Sequence, residues 1–229
     1  DQFNVPLIGD YVTYTSSDPA VAVISDTGSI AAVADGSTRI TATRDHLQAA
    51  TAATVGFPEG IEEMYLYIIG LDVYPETLTL SADGGSRQLE VHIGDDTDIA
   101  AGVTGTNYVV GNTEIITATE DGLVTALGVG QTLLTVTHGP AEFTIPIYVI
   151  EPQTGTVDLG PQGGIVASDG GTRVAIGPNA LDALVSISVT DMVEADLPRS
   201  VPAWFDFQAA FEIDLQDQVL NQPALVEVA

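Results

Sequence analysis

Three aspartates in one short stretch are the residues best placed to do chemistry. Asp95, Asp96 and Asp98 follow a predicted strand, Leu89 to Ile93, so they fall in a loop where backbone carbonyls can add further oxygen ligands. Calcium binds hard oxygen ligands and takes roughly six to eight of them. The stretch lacks the glycine and the bidentate glutamate of a D-x-[DN]-x-[DN]-G loop. Calcium is therefore the one cofactor that these residues suggest, and a solvated acidic turn is the commoner alternative.

Other residue types that carry catalysis are sparse. The three histidines, His46, His92 and His138, stand in none of the close spacings of zinc sites, such as H-E-x-x-H. The sequence has no Cys, no G-x-S-x-G nucleophile turn and no glycine-rich phosphate loop. Carboxylates are plentiful, but no pattern marks one as an acid and another as a base. The sequence therefore predicts a protein that is not an enzyme.

The charge of the chain is strongly one-sided. Asp plus Glu number 32 against 5 Lys plus Arg, and every basic residue is Arg, which gives a formal net charge of -27. Such a surface repels phosphate backbones and anionic headgroups, so nucleic acid is not an expected partner. The sequence contains no apolar run long enough to cross a bilayer, so this segment is not expected to insert into a membrane. Bound calcium and a saline habitat would each explain the acidity.

The elements that must position these residues are set by an internal repeat. Residues 12–55 realign on residues 106–149 without a gap, at a constant offset of 94 that carries Gly28 to Gly122 and Gly36 to Gly130. The identical residues fall at glycine turns and on the strands beside them, where backbone geometry is most demanding. The repeat therefore predicts two modules of one fold.

Apolar residues within each copy alternate with a period of two, which is typical of strands with one buried face. Short strands separated by Asp-Gly, Gly-Asn and Ser-Asp-Pro turns favour an antiparallel β-sandwich. We therefore predict an all-β chain of tandem immunoglobulin-like sandwich modules in an extended array. The predicted inner residues of the second copy are Leu89, Val91, Ile93, Thr132, Leu134, Val136, Phe143, Ile145, Ile147 and Val149, and those of the first are Thr38, Ile40, Ala42, Ala49, Thr51, Ala53 and Val55.

Two stretches of the first copy carry a family resemblance. Residues 14–24, Tyr-Thr-Ser-Ser-Asp-Pro-Ala-Val-Ala-Val-Ile, and residues 34–43, Ala-Asp-Gly-Ser-Thr-Arg-Ile-Thr-Ala-Thr, resemble a bacterial Ig-like domain of group 2. Residues 71–80 and 121–127 of the second copy are similar to the same family. The second copy departs from the pattern at residues 109–113, where Val-Val-Gly-Asn-Thr replaces the usual Ser-Ser-Asn-Pro. The resemblance implies tandem modules of bacterial or phage surface proteins, many of which are spacers or parts of adhesins.

The domain plan follows from the repeat and from a second resemblance. Residues 163–181, which begin Gly-Gly-Ile-Val and end Pro-Asn-Ala-Leu, resemble the start of a ZU5-like domain. We expect a partial bacterial Ig-like domain over residues 1–56, a linker over 57–70, a second Ig-like domain over 71–150 and a ZU5-like β domain over 151–229. The first is expected to be incomplete at its N-terminal side and the last at its C-terminal side.

Two aromatic groups are candidates for partner contacts. Met64, Tyr65, Leu66 and Tyr67 lie in the linker, where they could dock another subunit, although an ordered linker is the plainer interpretation. Trp204, with three nearby phenylalanines, could stack on a sugar, although a packed core beneath a loop is the favoured interpretation. Other copies of this chain, other surface proteins and glycans are the partners that these groups suggest.

We therefore predict an extracellular or cell-surface protein without enzymatic activity. The leading hypothesis is a structural or adhesive module, such as a stalk segment or the subunit of a filament or coat. The alternative is a module that binds glycan or protein, including an accessory region of a large secreted hydrolase.

Overall fold

The computed structural model describes residues 12–57, 64, 67–68, 70–93, 97–99, 105–199, 201–202, 204 and 206–228. The elements named below are strands, apart from one three-residue 3-10 turn. This confirms the predicted all-β class.

The first repeat, residues 12–55, forms two small antiparallel sheets. One has the strand order β1-β4-β5 and the other pairs β2 with β3. Long alternating Thr and Ala runs in β4 and β5 suit a pleated hairpin, because β-branched residues pack well on a sheet. The strands are β1 (Thr13–Ser16), β2 (Ala22–Ile24), β3 (Ile30–Ala32), β4 (Gly36–Arg44) and β5 (Leu47–Val55).

The second repeat, residues 71–150, contains the counterparts of all five strands and five more before them. Its sheets have the orders β10-β9-β6, β11-β14-β15-β7 and β12-β13-β8. The 94-residue offset carries β1 to β5 onto β11 to β15. The strands are β6 (Leu71–Tyr74), β7 (Leu78–Ser81), β8 (Ser86–Gln88), β9 (Glu90–Ile93), β10 (Thr97–Ile99), β11 (Thr106–Val110), β12 (Ile116–Ala118), β13 (Leu123–Ala126), β14 (Gly130–His138) and β15 (Ala141–Ile150).

The third segment continues in strands. Its two sheets have the orders β16-β18-β19-β22 and β17-β20-β21. Their inner faces enclose a core centred on Val166, Ile176, Ala180 and Ile187, each at 0% exposure. The elements are β16 (Gln153–Thr154), β17 (Val157–Leu159), β18 (Gly164–Ala167), β19 (Arg173–Ile176), β20 (Val185–Met192), the 3-10 turn Glu194–Asp196, β21 (Ala210–Asp214) and β22 (Leu225–Glu227).

The chain divides into two compact units. The first contains Asp1–Glu76, Arg87–Thr125 and Gln131–Ile147, and the second contains Thr77–Ser86, Ala126–Gly130 and Tyr148–Ala229.

One identical pair of residues explains part of the repeat. In each copy a tyrosine from the first shared strand lies beside a glycine turn: Tyr108 beside Gly122, and Tyr14 beside Gly28. A Cβ on Gly122 would lie 2.7 Å from the Tyr108 ring, and one on Gly28 would lie 3.2 Å from the Tyr14 ring. Both glycines also have positive φ. The turn therefore requires glycine for its conformation and for the ring that lies against it.

The predicted inner faces are buried in the second repeat and only partly buried in the first. Thr132, Leu134 and Val136 of β14 are buried, as predicted. So are Ile145, Ile147 and Val149 of β15, and Leu89 and Val91 before them, while Phe143 is half-buried.

In the first repeat, by contrast, Thr38 and Ile40 are buried, but Ala49 and Thr51 are exposed. The prediction of burial is wrong for those two residues: β5 is the edge strand of its sheet in the described structure, whereas the equivalent β15 has β7 beside it.

Candidate functional site

The predicted calcium cluster lies largely outside the described residues. This is the case for Asp95 and Asp96, whereas Asp98 belongs to β10 and stands opposite His92 in the pairing with β9. Within the part of the chain that the structure describes, no group of three or more His, Asp or Glu side chains is arranged to hold a metal ion. The calcium site therefore stays a prediction.

The linker patch is described only in part. Met64 is half-buried, and Tyr67 is 52% exposed beside Ile68, which is also exposed. Tyr65 and Leu66 lie outside the described residues. Tyr67 is thus accessible to a partner, and the docking of another subunit stays a prediction.

Trp204 is not part of a packed core. Its side chain is 83% exposed, whereas Phe207 and Phe211 are half-buried. The favoured interpretation of this aromatic group as a core beneath a loop is therefore wrong for Trp204. Sequence clustering shows that aromatic residues are near each other along the chain, but not that the loop folds its largest ring inward.

The most specific arrangement in the first unit is a joint between the two repeats. It consists of the β4–β5 hairpin tip, residues 44–47, and the loop from β11 to β12, residues 111–115. Asp45 at the tip has a φ of 52°, which Asp tolerates better than most residues. This left-handed residue turns the chain tightly, so the backbone of the next two residues faces the loop.

Backbone hydrogen bonds hold the joint together. The Gln48 N–H donates to the Gly111 carbonyl at 2.9 Å, and the Thr113 N–H donates to the His46 carbonyl at 3.0 Å. The Thr113 hydroxyl donates to the same carbonyl at 3.3 Å. Leu47 and Asn112 form an antiparallel bridge between these bonds. Together they amount to a short strand pairing between one repeat and the next.

Side-chain groups lie at the same contact. His46 Nε2 lies 3.7 Å from Glu114 Oε2. Farther along β5, the Ala52 N–H donates to Glu142 Oε2 at 2.6 Å. Both are interactions between residues of the first repeat and residues of the second.

The loop of the joint needs its glycine. A Cβ on Gly111 would lie 2.7 Å from the Leu133 carbonyl oxygen and 2.9 Å from Thr132 Oγ1. Since the Gly111 N–H also donates to that Leu133 carbonyl at 2.7 Å, the loop lies directly against β14. A larger residue would push the loop away and shift the carbonyl that accepts from Gln48.

The departure of this loop from the family pattern is a change of residues and not of shape. Asn112 accepts from the Glu114 N–H with its side chain, just as Asp18 accepts from the Ala20 N–H in the first repeat, both at 2.9 Å. The offset places Thr113 where the first repeat has Pro19, which has no N–H. The Thr113 N–H is therefore a donor that the usual proline could not provide, and the absence of proline at this position is the trace that the joint leaves in the sequence.

The second unit contains two carboxylates held by specific donors. Ser81 donates to Asp83 and holds the pKa of that carboxyl below its usual range, and Arg173 acts in the same direction. Arg173 also lies 3.7 Å from Glu227 through its Nη1 atom. This group pairs one arginine with two carboxylates and leaves no cation free for another anion.

Asp191 is the second of these carboxylates. Hydrogen bonds from the Ser168 and Thr172 side chains lower its pKa, and the Gly170 N–H donates to Oδ2 at 2.9 Å. Neutral donors from a single turn, residues 168–172, thus stabilise the ionised form. Because they come from one turn and occupy the carboxylate, the arrangement fixes the turn and presents no reactive group.

Among the described residues, the geometry therefore offers contact surfaces between strands and loops. Within the described ranges, no helix is long and apolar enough to cross a membrane.

Comparison with known proteins identifies one part of the chain. The family model described as bacterial Ig-like domain (group 2) matches residues 8–55. The predicted family is thereby confirmed for the first repeat, whereas the resemblance of residues 163–181 to a ZU5-like domain has no such support. No curated protein matches the sequence.

Three solved structures overlap with the chain at low similarity. A crystal structure of the S-layer protein SbsC has 14% identity, covers 96% of this chain and has a TM-score of 0.33. This chain spans 32% of the length of that one. A structure of domains 4 and 5 of SbsC has 18% identity and a TM-score of 0.28, and the match covers 65% of this chain and 77% of that one. An endo-fucoidan hydrolase of glycoside hydrolase family 107 has 12% identity and a TM-score of 0.25, and the match covers 94% of this chain and 37% of that one. At these scores the overlap says nothing about function.

Proposed function

Because residues 8–55 match the bacterial Ig-like domain of group 2, we propose that this chain is a non-enzymatic structural segment of an extracellular bacterial or phage surface protein. In this role it separates other parts of the protein, as a stalk does, or contributes to a filament or coat. Its partners are other copies of itself or other surface proteins. An adhesive role belongs to the same proposal, because a stalk presents a binding region at a distance from the surface.

The joint is the observation that carries this proposal. A spacer works only if consecutive modules keep their orientation under thermal motion, and a flexible linker alone does not provide that. Here the Gln48 and Thr113 amides cross from one repeat to the other at 2.9 and 3.0 Å. Backbone bonds of this kind depend on relative position more strictly than a contact between flexible surface side chains does.

Replacing Thr113 by the family's proline tests the joint. Thr113→Pro removes the N–H that donates to His46, while the turn stays compatible because Pro19 occupies the same turn in the first repeat. The protein has no Cys, so spin labels can be attached at Ser25→Cys and Glu120→Cys, two exposed positions in different repeats. Pulsed electron paramagnetic resonance then gives the distribution of distances between the repeats.

We expect a narrow distribution for the parent protein and a clearly broader one for Thr113→Pro. The matched control is Thr113→Ala, which loses the weaker hydroxyl bond but keeps the N–H, and its distribution should stay close to that of the parent. A broad distribution in the parent protein would contradict a structural role that depends on a fixed joint.

A second candidate function is supported by Trp204. An exposed tryptophan offers a flat apolar face, which is suited to stacking on a sugar ring or to anchoring a protein partner. The exposed Asp206 nearby could accept hydrogen bonds from hydroxyl groups. A glycan array compares the parent protein with Trp204→Ala: signals that the variant loses support the sugar-binding form, and the absence of any signal rules it out.

Calcium binding by Asp95, Asp96 and Asp98 is a further part of the proposal. It would offset a small part of the charge of -27 and tie the three carboxylates together.

A further inference from the structure

A long loop joins β20 to β21 in the third segment. It runs over residues 193–209, and its described part contains no regular element except the 3-10 turn Glu194–Asp196. Loops longer than about 12–15 residues without secondary structure are uncommon in compact domains, and many of those that occur are functional. The length of this loop therefore makes it a candidate for a role of its own.

The second half of this loop is loosely attached to the sheets. The Leu197 N–H donates to the Glu194 carbonyl at 3.3 Å, which closes the 3-10 turn. Among the described residues from Pro198 to Gln208, none has a hydrogen bond or an ion pair. A segment with so few bonds opens locally at a low cost in free energy. An enzyme that needs several residues of chain in an extended form can therefore bind this segment without unfolding a strand.

Arg199 lies in this loosely attached half, and its side chain is exposed. The chain before it is already extended, because Leu197 has a φ of -68° and a ψ of 140°. Pro198 favours this conformation, since proline fixes its own φ and keeps the preceding residue out of the helical region. Endopeptidases bind the residues around the bond that they cut as an extended segment. The backbone leading to Arg199 thus already has the form that such an enzyme binds.

The guanidinium of Arg199 is available to a binding pocket. No Asp or Glu stands between Asp196 and Asp206 in the sequence. By contrast, the guanidinium of Arg173 is paired with Asp83 and lies 3.7 Å from Glu227. Serine peptidases of the trypsin type recognise a basic side chain through a carboxylate in their specificity pocket. Arg199 therefore offers the residue type that this class of enzyme requires.

The other four arginines lie in strands, and the sequence contains no Lys. Arg39 in β4 donates its N–H to Ser17 Oγ at 2.8 Å. Arg44 is exposed, but it ends β4 at a tight hairpin whose His46 carbonyl accepts from the Thr113 N–H at 3.0 Å. Exposure alone thus does not make a cleavable bond, because the strand beside Arg44 must first open.

We propose that the peptide bond after Arg199 is a site of limited proteolysis by an arginine-specific serine peptidase, and that the cut protein stays folded. Water adds across this bond, so that Arg199 gains a carboxylate and Ser200 gains a free amino group. The cut turns a closed loop into two chain ends and places the exposed Trp204 close to the new N-terminus. This site is independent of the structural role proposed above.

The strands that follow the cut remain held by the third segment. β21 pairs with β20 over five residue pairs, and β22 pairs with β19 over three. Ile213, Leu220 and Val226 pack against the buried core between the two sheets. Since the cut removes none of these contacts, both pieces should stay together.

Digestion of the full 229-residue protein with a small amount of trypsin tests the site. Intact-mass spectrometry of early time points should show a first pair of products that consists of residues 1–199 and 200–229. Because the sequence contains no Lys, an amine-reactive dye labels only chain N-termini and reports the new Ser200 amine separately. In size-exclusion chromatography the two pieces should elute together at the position of the uncut protein.

Two variants with matched substitutions locate the cut. Arg199→Gln and Arg44→Gln each remove one exposed arginine, so both should fold, which circular dichroism verifies. We expect Arg199→Gln to slow the first cut at least about tenfold, because each remaining arginine is cut only when its strand opens. Arg44→Gln should leave the rate of the first cut within about twofold of the parent rate.

Four results would overturn the proposal. The first is a native protein that trypsin does not cut. The second is a first cut at an arginine other than Arg199. The third is an equal rate of cutting in the two variants. The fourth is separation of the two pieces on the size-exclusion column, since the cut protein would then not stay folded.

Discussion

Three glycines with nearly the same backbone conformation separate the effect of conformation from the effect of crowding. Gly70, Gly28 and Gly122 have φ values of 83°, 81° and 83°. Among the described residues, a Cβ on Gly70 would meet nothing within 4 Å, whereas one on Gly28 would lie 3.2 Å from the Tyr14 ring and one on Gly122 would lie 2.7 Å from the Tyr108 ring. Replacing each glycine by alanine therefore has the same conformational cost, while the crowding of the new methyl group increases from Gly70 to Gly28 to Gly122.

The expected losses of stability follow from these distances. An L-residue in the left-handed region costs about 1–2 kcal/mol, which is the whole expected effect of Gly70→Ala. An added methyl that forces its neighbours to move costs about 1–3 kcal/mol more, so Gly122→Ala should lose about 2–5 kcal/mol. Gly28→Ala should fall between the two, because 3.2 Å requires a smaller movement of the tyrosine ring.

Native-state hydrogen exchange is the suitable assay because the two units need not unfold together. It gives the free energy of opening for the strands beside each glycine. A double-mutant cycle isolates the crowding: in a Tyr108→Ala background, Gly122→Ala should cost only the conformational 1–2 kcal/mol or so. Equal losses at Gly70 and Gly122, or a loss at Gly122 that persists without the tyrosine ring, would refute the role assigned to the ring.

Four further outcomes are expected. Leu134→Ala, at a fully buried position of β14, should destabilise the second repeat by about 2–5 kcal/mol in the same exchange assay. The pKa of Asp191 is lower in the folded protein than in the unfolded chain. The ionised carboxylate therefore stabilises the fold above the unfolded pKa of about 3.9, and this stabilisation is lost as pH falls through the lower folded pKa. Asp191→Asn should accordingly flatten the acid side of a curve of stability against pH. Calcium should raise the melting temperature more than sodium chloride of equal ionic strength does. This extra rise should be absent in a double variant with Asp95→Asn and Asp96→Asn, and absent when a chelator is present. Trp204→Ala should change stability by less than about 0.5 kcal/mol, because the side chain it removes is exposed.

The sequence was sufficient to predict which side of most strands faces the core. Alternation in β14 and β15 indicated Leu134 and Ile145 as inner residues, and both are fully buried. The same rule applied to Thr51 gave the correct side of the sheet but the wrong exposure. A period of two specifies only the direction in which a side chain points. Whether another strand covers that side depends on segments elsewhere, which the pattern of one strand does not contain.

The joint was beyond reach of the sequence for a different reason. Its main bonds join backbone groups of His46, Gln48, Gly111 and Thr113, and every residue type except proline provides such groups. The absence of proline at residue 113 was visible in the sequence, but it predicts only that a donor exists there. The acceptor became known once the β4–β5 hairpin was placed beside the loop.

The hydrogen bonds of the carboxylates indicate how a chain with a net charge of -27 can fold with five arginines. Several carboxylates accept from backbone amides, not from cations: Glu142 from Ala52 at 2.6 Å, and Asp18 from Ala20 at 2.9 Å. Hydrogen bonds to neutral donors lose less strength in salt than exposed ion pairs do, whereas the long-range repulsion among surface carboxylates is screened over about 8 Å at physiological ionic strength. Monovalent salt should therefore stabilise this protein on balance. Only the part of calcium's effect that exceeds this screening can be assigned to a specific site.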